Sequence, residues 1–527
     1  MSRRIQPLDR AAVIAIVVLS LAIATLLLLG DHALARVRNF SWQGEKVGAE
    51  EVAFLLTFSR PMKPESVEQN LTIEPPLVGK FSWAGRRMAY TLETPAPYGQ
   101  TFQVSLPQAQ SRFNAAGDTS FEPFTGSFQS RDRGFVYIGI DGEEAGRLVL
   151  YDLTQQAKTI LTPKEQVVLD FEPYRAGDRI LFSAVSRADY EQGEQTQQLY
   201  TVTTGMGTTG MGTTGMGEPS LLPGWRFWQR PSALPAGETA LVLDSQGYQN
   251  LKFDLSADGE TVVIQRVNRT NPADFGPWVL HADQPPRPLE TDPGGDFLIA
   301  PDSQTLLLQQ GEGTAVIGLD TLTTEQVGPV EPLDFLPEYG LVLDVASNGT
   351  AAALVNFNQN DPEQRYTQTL FWVSSQGEEK PLLNATGAIL DAQFDPTDEL
   401  LYCLISQLLP GENYQVQPYL MVVNISTGEL QELLAMPPQP NVSMSLAPDG
   451  LAVLFDEAVT VSEGSQSTGG ATGGATGGAT GGGRAVSSSR LWLLPLFATP
   501  EERLANQPSQ LPPQQLPFTG LRPVWLP

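Results

Sequence analysis

The chain has 527 residues, long enough to bury more than one core, so two or more domains are expected. Acidic residues number 59 against 32 basic ones, for a formal charge of -27, which repels phosphate backbones and argues against nucleic-acid binding. The one cysteine, Cys403, leaves no partner for an intrachain disulfide, and its setting LLYCLI reads as a buried strand thiol rather than a reactive one.

At the N-terminus, residues 11–29 (AAVIAIVVLSLAIATLLLL) carry no charge, and as a helix they would span about 28 Å, close to the hydrocarbon thickness of a bilayer. Arg3, Arg4 and Arg10 precede this run. The expectation is a cytoplasmic stretch over 1–10 and a single-pass inner-membrane anchor over 11–30, with the bulk of the chain periplasmic or extracellular. The competing reading is a cleaved signal peptide, because Ala33-Leu34-Ala35 fits a small-x-small cleavage pattern.

From about 38 to 130 the rhythm is that of short strands. Val52–Phe58, Lys80–Trp83, Arg87–Leu92 and Thr101–Leu106 alternate large apolar with polar side chains between Pro or Gly turns, as a half-buried sheet of a β-sandwich requires. The run LTFSRPMKPESVEQNLTIEPPLVGKFSWAGRRMAYTLETPAPYGQTFQVSL, followed by FNAAGDTSFEPFTGSF, resembles the bacterial Ig-like domain of surface-layer proteins, the SbsA type. The residues that carry the likeness are Phe58, Ser59, Pro61, Met62, Ser66, Val67, Gly79, Phe81, Trp83, Gly99, Gly117, Phe124 and Thr125. Asn114 departs from it, standing where the closing aspartate is expected, and Asp118 follows the glycine instead. The resemblance implies a spacer or adhesion module over 38–130 without chemistry of its own.

From about residue 168 to the C-terminus one unit recurs: an apolar strand, a tight polar turn and a second apolar strand. The turns centre on Gly177, Gly259, Ser303, Asn348, Asp398 and Gly450, with steps of 44, 45, 50 and 52 residues after Gly259 and of 82 before it. This period belongs to a four-stranded propeller blade. Ala447-Pro448-Asp449-Gly450 and Ser256-Ala257-Asp258-Gly259 resemble the W-S-P-D-G turn of the TolB-like and WD40-like propellers of exported bacterial proteins. The expected fold class is therefore all-β: an Ig-like β-sandwich, then a β-propeller over 134–527 of seven blades, with eight as the alternative. The region from Trp225 to Gln249 reads as half a blade, and Phe135–Ile140, Leu148–Leu153 and Lys158–Leu161 read as three strands lacking an innermost partner. Leu521–Pro527 reads as that missing strand, which would close the ring and remove two open sheet edges. Low-complexity tracts at 203–217 (TTGMG repeats) and 468–483 (TGGA repeats) read as lengthened hairpin loops.

Chemistry is sparse. With only His32 and His281, neither a histidine-rich metal site nor a Ser-His-Asp triad has enough parts. No phosphate-binding loop, nucleophile elbow or calcium loop occurs. The pairs Asp391 with Asp395 and Asp361 with Glu363 read as solvated surface carboxylates rather than a glycosidase dyad. Met206, Met211 and Met216 read as part of a loop rather than a soft-metal tract, and Trp225, Phe227 and Trp228 as packing rather than a binding mouth. No catalytic, cofactor-binding or metal residue is nominated, and no cofactor is implied. The functional expectation is a membrane-anchored cell-envelope binding or scaffold protein, non-enzymatic, holding a protein or glycan partner. The alternative is a propeller hydrolase or lyase acting on envelope polysaccharide through carboxylates in its central channel. Carboxylates converging there with pKa values pushed apart would favour the enzyme.

Overall fold

The structure, a computed structural model, describes residues 7–28, 34–112, 121–194, 196–206, 234–281, 284–311, 313–319, 332–336, 338–411, 415–439, 441–460 and 486–527. Apart from one longer helix at the N-terminus and a few short helical turns, its elements are strands. The chain forms two compact units: Met1–Gly44, Ala53–Thr91 and Phe102–Phe128 in one, and Glu45–Val52, Leu92–Thr101 and Gln129–Pro527 in the other.

In the first unit, strands Val37–Phe40, Ala53–Phe58, Arg87–Leu92 and Gly79–Ala84 form one sheet in that order. Burial alternates along them, so Phe54, Leu56, Phe58, Met88 and Tyr90 share the covered face. Phe102, Val104 and Leu106 supply the matching face of a second sheet. Trp42 bridges the two, its ring 5.4 Å from Phe54 and 4.9 Å from Phe128. Within this unit Met62 and Val67 are buried, and Trp83 stacks on Phe58 while its indole N–H donates to Glu68. Asn114, Gly117 and Asp118 lie outside the described residues.

The N-terminal helix, Pro7–Leu28, covers most of the expected anchor. The expected crossing over 11–30 is nevertheless not supported: among the described residues no helix is long and apolar enough to cross a membrane.

The second unit is a β-propeller. Five antiparallel sheets follow one another, each of four strands in chain order. Their first strands are Gln166–Pro173, Tyr248–Leu255, Phe297–Ile299, Leu341–Val345 and Ala388–Phe394. A sixth, seven-stranded sheet joins the two ends of the unit: Ala157–Ile160, Leu148–Asp152 and Gly134–Gly139 meet Gln514–Trp525, which leads on to Val486–Pro495, Ala452–Thr460 and Met444–Leu446. The expected closing strand is thus in place, with Leu521 opposite Ile138 and Trp525 opposite Phe135. The same strand begins earlier than expected, and its first half pairs with Val486–Pro495, with Gln515 opposite Trp492. The expected half-blade over Trp225–Gln249 lies partly outside the described residues, and the described part, from 234 on, forms no separate half-sheet. Thr239–Leu243 is the fourth strand of the sheet begun by Gln166–Pro173, and the long step from Gly177 to Gly259 is filled by the connection between Thr203 and Thr239, of which 207–233 lie outside the described residues.

The repeated turns are built alike. In each, the amide of the fourth residue donates to the carbonyl of the first: Gly177 to Tyr174, Gly259 to Ser256, Ser303 to Ala300, Gly349 to Ala346, Asp398 to Asp395 and Gly450 to Ala447, at 2.8–2.9 Å. That fourth residue has a positive φ, between 58° and 74°. Glycine adopts this conformation without strain, and Asp398 and Ser303 are the polar exceptions. At the fourth turn the left-handed residue is Gly349, one place after the expected centre Asn348, whose side chain instead caps the turn by accepting from the Thr350 amide.

Between sheets the cores are apolar. Ala353, Val355 and Leu370 of one sheet pack against Ile389, Ala392, Leu401 and Cys403 of the next, and Cys403 is a fully buried free thiol. At the closure Trp525 is 3% exposed and packs edge-on to Phe135 at 5.9 Å, with the Arg133 guanidinium over its other side. Trp525→Ala is expected to cost about 3–5 kcal/mol, the range for truncating a large buried aromatic. Denaturant unfolding monitored by circular dichroism checks this, and a loss below about 1 kcal/mol would show that the closing strand carries little of the stability.

Candidate functional site

The innermost strands carry a polar side chain at one fixed register, the fifth residue before each left-handed turn residue: Glu172, Asp254, Asp344, Gln393 and Ser445. Each reaches sideways and accepts the backbone N–H of the neighbouring innermost strand. Leu255 donates to Glu172 Oε2 at 3.0 Å, Ile299 to Asp254 Oδ2 at 2.5 Å, Phe394 to Asp344 Oδ2 at 2.8 Å, Leu446 to Gln393 Oε1 at 2.8 Å, and Trp525 to Ser445 Oγ at 3.1 Å. The two exceptions compensate locally. Leu298 cannot accept, and the Val345 amide it would have served is taken by Asp344 Oδ1 at 2.8 Å. Val524 cannot accept either, and the residue it would have served is Pro173, which has no N–H to satisfy.

Burial on these strands pushes the carboxyls up, because the charged form loses its hydration. Asp344 rises to about 7, chiefly by burial, against the lowering effect of the Phe394 and Val345 amides. Asp391 rises to about 6, again by burial first, with Gln393 Nε2 donating to its Oδ2 at 2.8 Å in opposition. Glu172 and Asp254 act as a pair: burial and then the Asp254 charge hold Glu172 well above the usual range, while Asp254 rises to about 6, its burial partly offset by the Ile299 amide. Both carboxyls of this pair are thus held above their ordinary range, burial being the first cause for each.

The expectation that Asp391 and Asp395 form a solvated surface pair is corrected. Asp391 lies on the innermost strand Ala388–Phe394, and Asp395 is 7% exposed, its two oxygens accepting from the amides of Thr397, Glu399 and Leu400 and the Thr397 hydroxyl. Asp361 and Glu363 are exposed as expected, Asp361 accepting the Glu363 amide at 2.9 Å. His281 Nδ1 lies 3.0 Å from the Thr261 hydroxyl, and His32 is outside the described residues, as are Met211, Met216, Trp225, Phe227 and Trp228. Among the described residues no cluster of His, Cys, Asp and Glu could hold a metal ion.

A second feature went unnoticed in the sequence. An open cavity of about 540 Å³ is lined by Gly142, Glu143, Arg147, Lys164, Glu165 and Arg187, with Ala145, Ser186 and Ala188. Its walls are the Gly139–Leu148 loop, the Ile160–Gln166 connection and the segment following Arg179–Ser186. Strand alternation puts these three connections at the end of the propeller opposite the repeated inner turns. Three cations on separate loops leave no local motif, so only the fold brings them together.

No family model matches the chain, and no curated protein matches it. Solved structures that are similar include TolB from Acinetobacter baumannii, 9% identical over 70% of this chain and 80% of that one, with a TM-score of 0.36. Oligogalacturonate lyase from Vibrio parahaemolyticus is 10% identical over 62% of this chain and 87% of its own, with a TM-score of 0.40. A hypothetical selenium-binding protein from Sulfolobus tokodaii is 10% identical over 75% and 93%, with a TM-score of 0.41.

The raised carboxyls fix the sign of a pH dependence. Near pH 4 to 7 the folded chain holds protons at Asp254, Asp344 and Asp391 that an unfolded chain, with ordinary aspartates near about 3.9, has released. Their contribution to stability is full below about pH 4 and is lost as pH rises through about 6 to 7. Asp344→Asn, which keeps a neutral acceptor for Phe394, is expected to make that decline shallower. Denaturant midpoints from pH 4.5 to 8 for both proteins check this, and an identical pH profile would show that Asp344 does not titrate differently on folding.

Proposed function

We propose that this chain is a cell-envelope binding or scaffold protein without catalytic activity, whose propeller holds a protein or glycan partner. In this reading the propeller has seven blades, the seven-stranded sheet counting as two that share Gln514–Trp525, and residues 38–130 form an Ig-like spacer of the surface-layer type. What supports the Ig-like assignment is the pair of facing sheets and the burial of Met62 and Val67. What supports attachment to a membrane is the row of exposed apolar side chains on Pro7–Leu28, from Ile14 and Ile16 to Leu21 and Ile23, which water alone would not favour.

The observation that carries the non-catalytic reading is the use made of the innermost carboxyls. A general acid or base needs a free oxygen aimed at substrate. Both oxygens of Asp344 accept backbone amides, and Glu172 and Asp254 bridge from strand to strand. The second reading, a hydrolase or lyase acting on envelope polysaccharide, draws on the Glu172–Asp254 pair, two neighbouring carboxyls both raised above their ordinary range, chiefly by burial.

Both readings meet in one experiment. The purified chain is incubated with soluble envelope polysaccharide, and chain length and new reducing ends are followed beside retention of the polysaccharide or of envelope proteins on the immobilised protein. The expected result is saturable retention with no shortening, the same for wild type and Glu172→Gln. Shortening that Glu172→Gln abolishes would overturn the scaffold reading and establish the enzyme.

A further inference from the structure

Three cations, Arg147, Lys164 and Arg187, line one cavity beside the two acids Glu143 and Glu165, on a chain that carries -27 overall. Several other cations of the second unit are paired: Lys46 with Asp132, Arg131 with Glu50, Arg133 with Asp449, Lys158 with Glu144, Lys252 with Asp296, and Arg522 with Asp170. No ion pair among the described residues involves Arg147, Lys164 or Arg187. The two guanidinium groups share this concave site with Glu143 and Glu165, yet neither is ion-paired with them.

The two arginines are also held in place. Arg147 donates through Nε to the Thr162 carbonyl at 2.7 Å and through Nη1 to the Glu143 carbonyl at 3.2 Å. Arg187 donates through Nε to the Lys164 carbonyl at 2.8 Å and through Nη2 to the carbonyls of Ala145 and Gln166 at 2.8 and 3.3 Å. Carbonyls orient a guanidinium without neutralising it, and Arg147 Nη2 and Arg187 Nη1 take no protein acceptor among the described residues. What remains is a pair of charged donors with their rotamer entropy already spent, beside the flexible Lys164 ammonium. The carboxylates of Glu143 and Glu165 sit on exposed residues of the rim and can turn to solvent.

We propose that this cavity binds a small sugar carrying an oxyanion, a carboxylate or a phosphate, with the anion between Arg147 and Arg187 and the sugar hydroxyls toward Ser186 and the rim carboxylates. A guanidinium fork matches the two oxygens of a carboxylate or phosphate, and the volume of about 540 Å³ lies in the range of small-ligand sites. The assignment deepens the binding reading above, and rests on it only for the choice of a sugar over another anion.

The test is titration calorimetry of the full chain, in low salt, with D-glucuronate and glucose 6-phosphate as probes and glucose as the neutral control. Both acid sugars, or one of them, are expected to bind saturably, glucose not, and the affinity is expected to fall as salt is raised. Which acid sugar binds decides between carboxylate and phosphate. The double variant Arg147→Gln, Arg187→Gln is expected to bind at least tenfold more weakly. If that variant loses its fold, Lys164→Gln, whose ammonium holds no backbone carbonyl, is expected to weaken binding about threefold with unchanged melting. Equal affinity in the variants, equal affinity for glucose, or no saturable binding of either acid sugar would overturn the proposal. Such a failure beside intact retention of envelope material would remove this cavity alone, whereas polysaccharide shortening beside intact acid-sugar binding would remove the scaffold reading and leave the cavity.

Discussion

The second unit depends on one strand doing two jobs. Gln514–Trp525 pairs with Val486–Pro495 in its first half and with Gly134–Gly139 in its second, so that no sheet edge is left open where the ring begins and ends. Without it, Gly134–Gly139 would present a full row of unpaired amides and carbonyls with six buried residues behind them. The closure is also what gives the ring of lateral hydrogen bonds its last member, since the Trp525 amide is the donor that Ser445 accepts.

That ring ties the fold to the question of function. Carboxyls on the inner strands of a propeller invite a catalytic reading, and burial does push several of them up toward neutrality. One oxygen each of Glu172, Asp254 and Asp344 is nevertheless spent on holding one sheet to the next, and the register is kept even where the residue type changes to Gln or Ser. The two places where the acceptor is missing are relieved in different ways, by a second oxygen of Asp344 and by the absent amide of Pro173. The pattern follows the demand that buried backbone amides be satisfied. At the other end of the ring lies the cavity lined by Arg147, Lys164 and Arg187, none of which makes an ion pair among the described residues.

Much of the architecture was legible in the sequence because tight turns have strict demands. Gly177, Gly259 and Gly450 mark left-handed positions that most residues avoid, and the spacing between them follows from the length of a four-stranded sheet. The fourth turn shows the limit of this reading: in Ser347-Asn348-Gly349 both Asn and Gly suit a turn, and only the backbone shows that Gly349 takes the left-handed place and Asn348 the cap. The lateral acceptors were harder to see, since Glu172, Gln393 and Ser445 share a register but no residue type. Asp391 and Asp395 read as a solvated pair because carboxylates at such spacing usually face solvent, whereas Asp395 is buried in its turn. The basic cavity left no trace, being assembled from three loops whose cations are each surrounded locally by acids.

The account is tested most directly by a covalent bond across the closure. Ile138 and Leu521 face one another in register, and Cys403, the one native cysteine, is fully buried. With both positions changed to cysteine, mild oxidation of the folded protein should link the two ends of the second unit, so that cleavage in the connection at 207–233 leaves the fragments joined until a reductant is added. Fragments that separate without reductant, from a protein that is otherwise folded, would contradict the closed ring on which the inner-strand hydrogen bonds and the placement of the cavity both rest.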